Sequence, residues 1–171
     1  EYPMFCYQCE QTAGGKGCTK MGICGKTPEI AALQDLLIYQ IKGISCYAKE
    51  IVEKGENVDK NIVIFIENSL FTTLTNVNFD ADVHVEMLRE SQKIKEALRR
   101  KVGKIKNDTE HATYNLSESK AEMLRDAKKA GIMYDKELDP DIRSLRQTIV
   151  YGLKGISAYG HQARELGYYD D

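Results

Sequence analysis

Four cysteines within nineteen residues set the strongest constraint on this chain: Cys6-x2-Cys9-x8-Cys18-x5-Cys24. The same stretch, residues 5–26, is threaded with Gly14, Gly15, Gly17, Gly22 and Gly25. A ribbon so rich in glycine buries little apolar surface of its own. Its order must come from a staple, and a metal centre supplies one.

Three staples compete. Disulfides need an oxidising compartment. The N-terminus has no basic region followed by an apolar stretch, so it does not read as a signal peptide, and the expected compartment is the cytoplasm. There, thiols stay reduced or bind metal. Structural zinc also takes four thiolates, usually as two pairs spaced two to four residues apart. The pair Cys6/Cys9 fits that rule and the pair Cys18/Cys24 does not. An iron–sulfur cube is wider than one ion, so uneven spacing suits it. Glycine lets backbone N–H groups approach its sulfurs. The iron–sulfur reading is the better fit, and zinc stays open as a structural or interaction module. With all four positions filled by protein, such a cluster has no open iron and would pass electrons rather than act on substrate. Lys16, Lys20 and Lys26 could offset its negative charge, or could be ordinary exposed lysines.

The net charge of −2 gives no bulk attraction for nucleic acid or an anionic membrane. No apolar run approaches the roughly 20 residues a membrane span needs. Beyond residue 26 the chain reads as helix. Thr27 is an N-cap, Pro28 the first helical position and Glu29 a first-turn acid. Ile30, Leu33, Leu37, Ile41, Ile44, Ala48 and Ile51 recur at helical steps up to Gly55. Residues 61–77 are strand-like in β-branching, yet fit a helical face and have no partner strand, so helix is expected. Residues 80–106 carry a stripe of Val83, Met87, Ile94, Leu98 and Ile105. Residues 107–116 read as a loop. Ser119-x-x-Glu122 forms a capping box that opens a helix ended by Gly131, and Asp139-Pro140-Asp141 opens the last.

That last helix repeats the first. Moving Pro28 to Pro140 lays Thr27–Gly55 on Asp139–Gly167 without a gap, and Tyr-x-x-Lys-Gly-Ile-Ser-x-Tyr occurs in both copies. Generic helix rules do not produce such a match, so it reads as a duplicated bundle unit. The expected fold is all-α: a cysteine ribbon over 1–26, a three-helix bundle over 27–110, and 111–171 as the start of a second, incomplete bundle in a spectrin-like repeat. A simpler arrangement adds the later helices to the first bundle. Cys46, matched by Ala158, is expected to be a core thiol. His84, His111 and His161 lie on three separate segments, and none is read as pairing with a cysteine or carboxylate; each reads as a surface or core residue rather than a ligand. Tyr39, Tyr47, Tyr151 and Tyr159 read as core aromatics.

Met4-Phe5-Cys6-Tyr7-Gln8-Cys9-Glu10-Gln11-Thr12, followed by Gly17-Cys18-Thr19-Lys20-Met21-Gly22-Ile23-Cys24-Gly25-Lys26, resembles the start of the hybrid cluster (prismane, hydroxylamine reductase) family. The likeness continues through Thr27–Leu36 and both Tyr-x-x-Lys-Gly segments. It implies an α-helical opening domain of two three-helix bundles. It also implies that Cys6, Cys9, Cys18 and Cys24 hold a [4Fe-4S] cluster, relaying electrons from a redox donor protein to a hybrid iron–sulfur–oxygen cluster in later domains. There hydroxylamine is reduced to ammonia, and nitric oxide reduction is also implied. No residue here can be assigned as a hybrid-cluster ligand, so this stretch alone is expected to lack reductase activity, and its partners include the remaining domains.

Overall fold

The structure is a computed structural model that describes residues 4–106, 108–134 and 139–168. Among these, six α-helices follow the cysteine ribbon and no strand forms: α1 (Pro28–Glu53), α2 (Lys60–Thr72), α3 (Ala81–Val102), α4 (Glu110–Thr113), α5 (Lys120–Ala130) and α6 (Pro140–Glu165). The all-α expectation holds, and residues 61–77 resolve as helix followed by turn.

Local chemistry sets the ends. The Thr27 hydroxyl accepts the Ile30 N–H at 3.3 Å ahead of Pro28, filling an orphan donor that the first turn leaves bare. Ser119 and Glu122 form the reciprocal capping box. Asp139 caps α6 through the N–H groups of Asp141 and Ile142. Both long copies, α1 and α6, stop two residues before a left-handed glycine, Gly55 at φ 78° and Gly167 at φ 79°. The single turn α4, capped by Thr109, lies where sequence suggested only a loop.

α1 is the central element. Its one end packs with α3 and α5 around Leu33, Leu36, Leu37, Leu88, Met123 and Leu124. Its other end packs around Ile44, Tyr47, Ile51, Leu98, Ile105 and Ala112. α5, which sequence grouped with the second unit, thus shares the first core. Gly43 permits close approach of α4: a Cβ there would lie 2.2 Å from the His111 carbonyl oxygen.

The buried stripe of α3 differs from expectation. Val83 is exposed and Ile105 lies beyond the helix end, while His84, Ser91 and Lys95 are buried. Each finds a partner. The Gln34 side-chain amide donates to His84 Nε2 at 3.3 Å, and Ser91 donates to the Leu88 carbonyl at 2.6 Å. Lys95 donates to Gln40, and to the Tyr114 carbonyl at 2.6 Å. Hydrogen bonding makes such burial tolerable.

α6 packs chiefly against α2. Arg164 pairs with Glu67 at 2.7 Å and donates to Asn68 at 2.8 Å, and His161 stacks on Phe71 with ring centroids 4.7 Å apart. The two copies bury opposite faces. Leu33 is 0% exposed and its match Leu145 64%; Ile44 is 0% and Ile156 70%; Tyr47 is 3% and Tyr159 78%. Tyr159 is therefore no core aromatic here.

Candidate functional site

The cysteine ribbon folds back on itself through a short helical turn, Ala13–Gly15. This reversal sets Cys6 opposite Cys18 in an antiparallel bridge. Cys6 N–H donates to the Cys18 carbonyl at 3.1 Å, and Cys18 N–H to the Cys6 carbonyl at 2.8 Å. Gly14 and Gly15 sit at φ 60° and 65°, a left-handed conformation that favours glycine. Cys9 enters the same turn, its carbonyl accepting from Thr12 N–H at 3.2 Å. Cys24 lies in a second turn, closed by Gly25 N–H to the Gly22 carbonyl at 2.9 Å and Gly22 N–H to the Lys26 carbonyl at 2.8 Å. A Cβ on Gly22 would come within 3.0 Å of Cys24 Sγ.

The ribbon is anchored by Met4 and Cys18, which pack on Ala31 at the start of α1. Cys18 is buried, and Cys6, Cys9 and Cys24 are half-buried. The Ala13 amide, 3.5 Å from Cys18 Sγ, donates to it. That amide first, then the Ile23 amide, hold the Cys18 thiol below its ordinary value, with smaller help from Thr12 and Lys26. A thiol primed in this way yields a thiolate, the form that binds metal.

No disulfide joins any two of the five cysteines. Among the described residues no three Cys, His, Asp or Glu side chains are arranged to hold one metal ion. The chemistry of the donor set is that of a polynuclear centre: four cysteines on one ribbon, amides donating to Cys18, and glycine beside Cys24. Cys46 stands away from the ribbon, its sulfur 3.4 Å from the Thr109 hydroxyl. His84 and His111 are held below their usual values by burial. His161 bonds Asn68 at 3.0 Å. Their hydrogen bonds and ring contacts include those to Gln34, Asp80, Tyr39, Asn68 and Phe71.

Sequence reasoning missed the floor beneath the ribbon. Lys16 and Lys20 are exposed, but Lys26 is 1% exposed. Lys154, from the far end of the chain, is 4% exposed and donates to Gln8 Oε1 at 3.2 Å. Tyr151 meets Tyr7 edge-on at 5.7 Å. Asp35, in a shared pocket with Lys154, has its carboxyl raised to about 7 by burial, against the pull of Lys154, Lys26 and Lys42. Burial, reinforced by the Lys26 charge, lowers Lys154 to about 8. The repeated Tyr-x-x-Lys was the one sequence signal for this group. Nothing local pointed to Asp35.

Comparison with known proteins adds independent findings. A family model described as Prismane/CO dehydrogenase family matches residues 4–171. A hydroxylamine reductase of Syntrophobacter fumaroxidans is 44% identical over 98% of this chain, which covers 32% of that relative. A hydroxylamine reductase of Desulfovibrio desulfuricans is 42% identical over 98% of this chain, covering 30% of the relative. One from Thermoanaerobacter pseudethanolicus is 40% identical over 98%, covering 31%. The chain thus spans about a third of the length of these relatives.

Proposed function

The chain belongs to the Prismane/CO dehydrogenase family, and on that premise we propose that its cysteine ribbon is an electron-transfer module of a hydroxylamine reductase. Cys6, Cys9, Cys18 and Cys24 would hold a [4Fe-4S] cluster, whose chemistry is one-electron transfer. The observation that carries this is the Cys6–Cys18 bridge with the Ala13 amide 3.5 Å from Cys18 Sγ. It places two of the four sulfurs on facing residues and lowers one thiol before any metal binds. The ribbon's own work is to present thiolates, supply amide donors and hold the turns closed through Gly14, Gly15 and Gly22. Its packing on Ala31 fixes it to α1.

In this reading 1–26 is the cluster ribbon, the first bundle runs from 27 through α5, whose Met123, Leu124 and Ala127 share its core, and α6 begins the second unit that sequence had placed over 111–171. Reduction of hydroxylamine to ammonia, with nitric oxide as a second substrate, belongs to the full-length protein. Its further domains supply the hybrid cluster and the substrate site, and a redox protein supplies the electrons. No described helix is long and apolar enough to cross a membrane.

Anaerobic purification followed by iron, zinc and acid-labile sulfide analysis tests the proposal. Iron with matching sulfide, and absorption near 400 nm (a generic range for such clusters) that bleaches with dithionite, is the expected result. Zinc without sulfide would make the ribbon a structural site instead.

A further inference from the structure

A small cavity of about 30 Å³ lies between α1 and α6, room for about one water molecule. Its walls are built from repeat-matched residues. Asp35 faces it with Gln147, Tyr39 with Tyr151, and Lys42 with Lys154. Each pair is related by the same shift that lays Pro28 on Pro140. The duplicated Tyr-x-x-Lys motif therefore meets itself across a pseudo-symmetric interface.

The cysteine ribbon breaks the symmetry. Gln8, between Cys6 and Cys9 in sequence, also lines the cavity and accepts from Lys154 at 3.2 Å. Lys154 is buried, whereas its match Lys42 is exposed. Tyr7 packs on Tyr151, not on Tyr39. The Tyr151 hydroxyl is buried without a hydrogen-bond partner.

We propose that Lys154, brought in from the second repeat, is a positioning residue for the cysteine ribbon: its buried ammonium holds Gln8 and sets the reduction potential of the cluster bound there. The inference rests on the iron–sulfur reading and goes beyond it by assigning the controlling charge to a residue remote in sequence. A thiolate-bound cluster gains negative charge on reduction. A cation in a low-dielectric site stabilises that form far more than exposed Lys16 and Lys20, whose fields water and salt screen. The facing groups are Asp35, Lys26, Lys42, Tyr151 and Cys6. Below pH 7 Asp35 does not cancel the ammonium, because burial raises its carboxyl to about 7.

The test is a redox titration of the cluster signal in the full-length protein, comparing Lys154→Met, Lys154→Arg and Lys42→Met. Lys154→Met should lower the midpoint potential at unchanged iron content, Lys154→Arg should stay near wild type, and Lys42→Met should not move it. Loss of iron from Lys154→Met but not from Lys154→Arg also supports the role, since only the charge differs in kind. An unmoved potential in Lys154→Met, an equal shift in Lys42→Met, or iron loss in both Lys154 variants with the helices intact overturns it. Hydrogen exchange in metal-free protein separates this inference from its premise. The Cys6 and Cys18 amides should exchange faster in Lys154→Met and not in Lys42→Met. Unchanged exchange overturns the positioning role, whereas absence of iron and sulfide from the wild type overturns the cluster reading alone.

Discussion

At the scale of single residues, similar chemistry has different consequences in different surroundings. Cys18 is buried, held by two amides and tied to Cys6, while Cys46 is half-buried beside Thr109. Cys18→Ser is expected to abolish iron and sulfide binding. Cys46→Ala should leave the metal content intact and cost about 1 kcal/mol or less. Elemental analysis and thermal melting check both. Asp35 offers a pH test. Its folded carboxyl titrates at about 7 and its unfolded value is 3.8, so between these values the native state binds more protons than the unfolded state. Stability contributed by the protonated carboxyl is fully present below the unfolded value and is lost as pH rises through 7. Asp35→Asn removes that loss. It should be more stable than wild type at pH 8 by about 1–2 kcal/mol after screening by the nearby lysines, with a smaller gain at pH 5.5. Denaturant melts at the two pH values decide; an equal gain at both would refute the raised carboxyl.

At the scale of elements, α1 and α6 are two copies of one helix in unequal surroundings. The Gly43 Cβ position falls 2.2 Å from the His111 carbonyl oxygen, whereas the matched Gly155 has no atom within 4 Å. Gly43→Ala should therefore destabilise the chain by about 1–3 kcal/mol through overpacking. Gly155→Ala should stabilise α6 by about 0.5–1 kcal/mol through helix propensity. Melting of the two variants of the 171-residue chain gives the signs directly. If a second bundle covers α6 in the full-length protein, the Gly155→Ala sign should reverse there. That reversal tests whether α6 opens a second bundle.

For the whole molecule, the apolar face that α1 buries is the face that α6 leaves bare. Leu33→Ala should cost about 2–5 kcal/mol in the 171-residue chain, and Leu145→Ala about 0.5 kcal/mol or less. In the full-length protein the two costs should converge if the repeat is completed there. Equal costs already in the short chain would contradict the exposure of Leu145. The same asymmetry gives the ribbon its floor, because α6 turns Lys154 and Tyr151 inward only by turning Leu145, Ile156 and Tyr159 outward.

What the sequence alone determined is local. Thr27-Pro28, the Ser119–Glu122 box, Asp139-Pro140 and the glycines at 55 and 167 fixed helix ends because each acts within one turn of backbone. The grouping of Cys6, Cys9, Cys18 and Cys24 singled out the candidate site because residues close in sequence stay close in space. The tertiary structure decided which face each copy buries, that α5 joins the first core, and that Lys95 and His84 are interior. It also placed Lys154 against Gln8, 146 positions away. These outcomes depend on long-range packing and desolvation, and a hydrophobic pattern read along one helix does not say which partner reaches it.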